Sequence, residues 1–235
     1  MSIVSLDNVG TWDPTYGVTM SQETDQQREI LRRYVIEQRD ALSKEQLRTA
    51  ARDMCLLLES TPEFHHSVHI AAYWPVKGEM DVRPVIDQVR RYNKHAYLPV
   101  IVNTDPKGET LMFALYEPDM PMRRNRYGIS EPDVAEDQLV SPRDLDMAIV
   151  PLVVFDSYGN RLGMGGGYYD RTFAFLNEEE DAAKPVLVGA AHEFQHTGEI
   201  PYHPWDVPTR MVVTEERVWR PYLQHHHEAT EAEAS

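Results

Sequence analysis

The chain has 235 residues, 42% hydrophobic and 26% charged, which suits a soluble globular protein of one domain rather than two. A formal charge of −15 argues against a nucleic-acid-binding face, and no apolar run approaches the ~18 residues of a membrane span. The single cysteine, Cys55, excludes an internal disulfide framework and a cysteine-built zinc site; with no secretory leader evident, a cytoplasmic protein is expected.

Residues 1–22 hold Gly10, Pro14 and Gly17, lack periodicity and read as a partly disordered extension before a single domain at 23–220. Ile30, Leu31, Tyr34 and Val35 recur at helical spacing and predict a helix over 25–39. Ser43 and Gln46 form a capping box for a second helix, with Leu47, Ala50, Ala51, Met54, Leu57 and Leu58 on one face. Cys55 shares that apolar face and reads as inert core. SVHIAAYW at 67–74 is of strand length, and His65, His66 and His69 precede or enter it without a cysteine to complete a metal site. Val82, Val85, Ile86 and Val89 mark a third helix. Strands are predicted at 96–102, 111–116, 147–155, 186–191 and 210–214, the third of these being the most apolar and hence central. The tail at 221–235, with His225, His226 and His227, reads as a polar, mobile end. Strands alternating with helices predict an α/β fold: a three-layer αβα sandwich, its mostly parallel sheet covered by helices on both faces.

The stretch RLGMGGGYYDR at 161–171 follows the central strand through the turn DSYGN and precedes a predicted helix at 168–176. Ligands of open α/β sheets bind at the carboxyl ends of strands. Gly163, Gly165, Gly166 and Gly167 expose backbone N–H groups there, which suits a phosphate-binding loop, although a flexible turn explains glycines as well. Tyr168 stands where a dinucleotide fingerprint needs its last glycine, and no Gly-Lys-Ser/Thr follows, so both familiar phosphate loops are excluded. Ser157 lacks a nucleophile-elbow context.

The whole segment VPLVVFDSYGNRLGMGGGYYDR, from Val150 to Arg171, resembles the signature of the 5-formyltetrahydrofolate cyclo-ligase (methenyltetrahydrofolate synthetase) family. REILRRYVIEQRDALSKEQ, AAYWPVKGEMDVRPVI, NRYGISEP and HPWDVPTRMVVTEERVW resemble further family segments in the family's order, so coverage runs from about Arg28 to Trp219. The resemblance implies ATP-dependent cyclisation of 5-formyltetrahydrofolate to 5,10-methenyltetrahydrofolate through a phosphorylated formyl group, with Mg²⁺ assisting. The expected partner is that small molecule, with or without a polyglutamate tail, acted on by a monomer without nucleic acid or membrane. A non-catalytic folate- or nucleotide-binding protein on the same scaffold is the alternative; the joint presence of Arg28, Arg161, Asp170 and Asp206 favours catalysis. A transferase acting on sugar phosphates or acyl-CoA would not explain the signature.

By this resemblance Arg28, Arg32, Arg161, Leu162, Gly163, Met164, Gly165, Gly166, Gly167, Tyr168 and Tyr169 are expected to bind ATP, with Arg161 and Tyr168 at the chemistry. Arg28 and Arg32 are four apart and share a helix face, although a solvated basic stripe has the same spacing. Arg28 stands where the family often has lysine, which keeps charge but changes donor geometry. Trp74, Glu79, Met164 and Tyr168 are expected to hold the folate, Glu79 by accepting pterin N–H groups; core packing competes for Trp74 and Tyr168. Asp170 and Asp206 are expected to hold Mg²⁺, although a helix-start charge and a turn residue beside proline are the plainer readings. Some family members carry basic residues inside the glycine loop; here Met164 and Gly166 leave it uncharged, so the arginines must neutralise phosphate.

Overall fold

The computed structural model describes residues 19–104, 108–179 and 183–221. Most of the N-terminal extension and all three tail histidines lie outside them. The first helix, α1 (Thr19–Asp40), begins earlier than its periodicity implied, so residues 19–22 belong to it. Then come α2 (Lys44–Glu59), α3 (Pro62–His66), β1 (His69–Ala71), α4 (Arg83–Arg91), β2 (His95–Thr104), β3 (Gly108–Leu115), β4 (Met122–Arg124), β5 (Ser130–Pro132) and β6 (Leu139–Val140). The second half holds β7 (Met147–Pro151), β8 (Val154–Phe155), β9 (Arg161–Leu162), α5 (Tyr168–Phe173), α6 (Phe175–Glu178), β10 (Val186–Ala190), β11 (Met211–Val213) and β12 (Val218–Trp219).

The main sheet has the order β12-β11-β10-β7-β1-β2-β3-β6. The pairs β11-β10, β10-β7, β7-β1 and β1-β2 are parallel, and antiparallel β12, β3 and β6 finish the edges. Successive strand residues face opposite layers, and both layers are apolar, as expected for parallel strands covered twice. Ile70, Met147, Ile149, Val188 and Met211 pack with Met54 and Leu58 of α2, Phe64 of α3 and Ile86 of α4. Ala71, Ala148, Val150 and Leu187 pack with Phe173 and Phe175 of α5 and α6. The three-layer fold read from the sequence is the one observed.

The strand expected at 67–74 is shorter, His69–Ala71, and two further differences bear on the site. The run 147–155 is not one strand: the carbonyls of Leu152 and Val153 turn to the buried Gln195 amide, at 3.0 and 2.8 Å. With those acceptors satisfied off the ladder, β8 leaves the sheet and pairs antiparallel with β9, setting Phe155 opposite Arg161. The helix expected over 168–176 is two short pieces joined at Ala174.

Strand succession moves outward from β1 in one direction (β1, β2, β3) and from β7 in the other (β7, β10, β11). The sheet therefore has its topological switch between β1 and β7, where open α/β sheets bind ligands. The turn after β1 carries Glu79, and the loop beyond β7 carries the glycines.

Candidate active site

The helix α1 buries only part of the stripe its periodicity suggested: Val35 and Leu31 pack inward. Ile30 and Tyr34 are 57% and 64% exposed, whereas Arg28, Val35 and Arg39 are buried. Its inward face is a row of arginines with Val35 between them, and Val35 packs on Val153, Val154, Leu162 and Ile200. Arg28 Nη1 donates to Asp206 Oδ2 at 2.6 Å and to the Pro201 carbonyl at 3.2 Å. One turn on, Arg32 Nε donates to the Gly163 carbonyl at 2.8 Å, which ties α1 to the glycine loop.

A buried aspartate shapes the turn before that loop. Asp156 Oδ1 accepts from the backbone N–H of Tyr158 and Asn160, and Oδ2 from the Asn160 side chain and the Ile200 N–H. Gly159 completes the turn at φ +88°, where an added Cβ would sit 2.7 Å from the Thr209 carbonyl. The chain then runs up β9 to Arg161. Arg161 is 6% exposed; its Nη2 donates to Asp170 Oδ1 at 2.8 Å, and its Nη1 is buried without a partner. The Val207 N–H donates to the same Asp170 oxygen at 3.2 Å, so the two arginine–aspartate pairs meet along the 206–207 segment.

Leu162, expected in the nucleotide loop, is fully buried and belongs to the Val35 cluster; its side chain is core. Residues 163–166 are exposed, Met164 at 54%. Gly165 and Gly167 adopt φ of +92° and +64°, which L side chains rarely take. A Cβ on Gly163 or Gly165 would meet nothing within 4 Å, so this backbone faces open space.

Tyr168 sits in a polar network that the sequence reading missed. Its hydroxyl lies 2.6 Å from Glu109 Oε2, 2.7 Å from the Tyr127 hydroxyl and 2.6 Å from Arg126 Nη2, while the Arg171 guanidinium covers its ring. Burial, then the bond to Glu109, pushes its pKa up to about 12. Arg126 and Tyr127 lie in NRYGISEP; an exposed tyrosine beside an arginine and a turn glycine was the available signal.

The second pole of the site is the turn after β1. Lys77 and Gly78 both have positive φ, +48° and +70°. Arg39 Nη2 holds the Lys77 carbonyl at 2.6 Å, and a Cβ on Gly78 would lie 3.1 Å from the Arg39 carbonyl. Arg39 Nε and Nη1 are buried without partners. The turn places Glu79 half-buried, with Oε2 accepting from the Val76 N–H at 3.0 Å. Burial raises the Glu79 pKa, and the Val76 hydrogen bond and the charges of Arg39 and Lys77 oppose the rise. Burial pushes the Tyr169 hydroxyl up, the Glu79 carboxylate adds to the rise and the Arg161 guanidinium opposes it. The buried His192 faces the Gly78 carbonyl at 3.3 Å, and burial takes its pKa down to about 4. Trp74 is half-buried, with its ring 6.2 Å from that of Tyr116 and against the α2–α4 core. A groove of ≈ 800 Å³ opens between α2 and α4, and of the candidate residues only Glu79 reaches it.

Asp170 and Asp206 thus come close together, each paired with an arginine. Among the described residues no group of three or more His, Cys, Asp or Glu side chains forms a metal cluster. His69 stacks on His95 and bonds Tyr97, and His65 packs edge-on against Phe64 and Tyr92. Ser157 Oγ lies 2.9 Å from His196 Nε2. Burial pushes the Cys55 thiol up to about 11, which keeps it protonated. No described helix is long and apolar enough to cross a membrane.

Residues 24–215 match the sequence model of the 5-formyltetrahydrofolate cyclo-ligase family. The chain is 36% identical over 183 residues to the 5-formyltetrahydrofolate cyclo-ligase of Escherichia coli K12, covering 78% of this chain and 97% of that protein. To the Haemophilus influenzae 5-formyltetrahydrofolate cyclo-ligase it is 38% identical over 146 residues, 62% of this chain and 75% of the relative. The fold resembles the solved structure of Aquifex aeolicus 5,10-methenyltetrahydrofolate synthetase, with a TM-score of 0.67, 34% identity and coverage of 86% and 98%. A Mycoplasma pneumoniae 5,10-methenyltetrahydrofolate synthetase, at 23% identity and a TM-score of 0.60, shares the fold.

Proposed function

The chain belongs to the 5-formyltetrahydrofolate cyclo-ligase family, and from that premise we propose how its residues divide the ATP-dependent closure of 5-formyltetrahydrofolate to 5,10-methenyltetrahydrofolate. The formyl oxygen attacks the γ-phosphorus of ATP, and the bond to ADP breaks. N10 of the folate then attacks the formyl carbon, its proton is lost, and the C–O bond breaks to release phosphate with that oxygen. Such chemistry asks the protein for positioning and charge neutralisation above all.

The observation that carries the reading is Arg161: a residue 6% exposed, at the foot of an open glycine loop, with one N–H group paired to Asp170 and Nη1 left without a partner. A buried donor without an acceptor costs roughly 1–3 kcal/mol, a cost that a phosphate oxygen removes. Arg161 and the backbone N–H groups of 163–167 take the transferring phosphates, and Arg28 and Arg32 supply the neutralisation that the uncharged loop lacks. Tyr168, with its pKa near 12, stays protonated and acts as a hydrogen-bond donor. Glu79 accepts from the Val76 N–H and keeps spare acceptor capacity for the pterin amino and ring N–H groups. Trp74 and Met164 supply apolar wall.

The carboxylates suit a hard cation. Asp170 Oδ2 has no hydrogen-bond partner among the described residues, and Mg²⁺ takes one or two carboxylates together with phosphate oxygens. Asp170 and Asp206 would hold it, and when bound it supplies charge neutralisation at the phosphates. The test is the growth of methenyltetrahydrofolate absorbance from 5-formyltetrahydrofolate with and without MgATP. Formation without ATP would refute the phosphorylation step, and an unchanged rate in excess chelator would refute the Asp170–Asp206 assignment.

A further inference from the structure

Trp205 is 66% exposed, more than any other large apolar side chain among the described residues. It is also held in a fixed plane. The His203 ring stacks on it at 4.5 Å between centroids and 16° between planes. His203 is itself fixed twice: its backbone N–H donates to Asp206 Oδ2 at 2.9 Å, and its Nε2 lies 3.1 Å from Asp25 Oδ1 on α1. The Asp206 N–H closes the turn onto the His203 carbonyl at 2.9 Å. One face of the indole is therefore covered by imidazole and the other is open. The next residue is Asp206, paired with Arg28, and the one after it bonds Asp170 beside Arg161.

A flat, rigid π-face that close to a phosphate site suits the other end of a nucleotide. Base–aromatic stacking needs only a π-face on the base and an aromatic surface already in position. We propose that Trp205, backed by His203, stacks on the purine base of the nucleotide and so separates the nucleotide from free polyphosphate. This rests on the reading of 163–167 as the phosphate site. Stacking contributes through overlap area, so phenylalanine at 205 retains most of the effect and alanine loses it.

The experiment uses calorimetric titration of the full chain with ATP and with inorganic tripolyphosphate, for wild type, Trp205→Ala and Trp205→Phe. Trp205→Ala is expected to weaken ATP roughly 5- to 150-fold while tripolyphosphate affinity holds, and Trp205→Phe to keep most of the ATP affinity. In turnover the loss appears in the KM for ATP and not in that for the folate. The proposal is overturned if Trp205→Ala leaves ATP affinity unchanged, or weakens tripolyphosphate equally. If wild type binds neither ligand, the phosphate site itself is wrong and the base platform goes with it; binding of both with no effect at 205 removes the platform alone.

Discussion

Replacing single glycines of the 163–167 loop separates what the loop does for folding from what it does for ATP. A methyl group added at Gly163 meets nothing within 4 Å, and its φ is not left-handed. Gly163→Ala should therefore leave the fold neutral to about 0.4–1 kcal/mol more stable, by narrowing the unfolded ensemble. Gly165 has the same open surroundings but a φ of +92°, so alanine there should cost about 1–3 kcal/mol. Both methyl groups enter the space assigned to phosphate. Losing one hydrogen bond to a charged oxygen, worth about 1.5–3 kcal/mol, weakens ATP on the order of 10- to 150-fold. Urea unfolding and ATP calorimetry on the two variants should thus rank them apart in stability and alike in affinity loss. A Gly163→Ala protein with wild-type stability and wild-type ATP affinity would refute the assignment of this backbone to phosphate.

Glu79→Gln should reduce folate affinity or turnover by roughly 10- to 150-fold and leave ATP affinity unchanged, as paired titrations would show. Because burial raises the Glu79 pKa, the acid limb of kcat/KM for the folate should lie above 4.5 and disappear in the variant; a limb that persists assigns the titration elsewhere. Arg28 and Asp206 side chains are 9% and 12% exposed, so Arg28→Met should cost about 3–5 kcal/mol, and adding Asp206→Asn should recover part of it. Urea midpoints that stay put in the single variant would contradict this. His192 is kept neutral in the fold, with a pKa near 4 against 6.5 when unfolded, so its contribution is complete above pH 6.5 and is lost as pH falls toward 4. The loss is about 3 kcal/mol, and His192→Gln should remove that part of the pH dependence of unfolding.

The layers of the fold were legible because both sheet faces are apolar and the helices carry plain periodicity. The glycine loop and Arg161 were singled out as candidates by the long segment from Val150 to Arg171, and Arg28, Arg32 and Glu79 by two separate family-like segments. What misled was α1: Ile30 and Tyr34 carry helical spacing yet face solvent, while Val35 and Leu31 join a small apolar cluster and Arg28 and Arg39 are buried on the inward side. The break in 147–155 was hidden because the signal for it, Gln195, lies some forty residues away. Arg39, the Tyr168 network and the bond from Ile200 to Asp156 share that property: each joins partners distant in sequence, which local periodicity does not encode. Asp170 and Asp206 were expected as metal carboxylates and stand in arginine pairs; Asp170 pairs with nearby Arg161, whereas the Arg28–Asp206 pair is visible only once both ends of the chain are folded.

The Arg28–Asp206 pair spans 178 positions. A chain growing from its N-terminus therefore displays α1 long before its counter-charge exists. Loop-closure entropy rises only slowly with length, so the late contact is affordable at equilibrium, but it must await nearly the whole sequence. Until residues 203–207 emerge, Arg28 lacks its carboxylate and Asp170 lacks the Val207 N–H. On the roles proposed above for Arg28, Asp170 and Asp206, catalytic competence is thus among the last properties the chain acquires during synthesis.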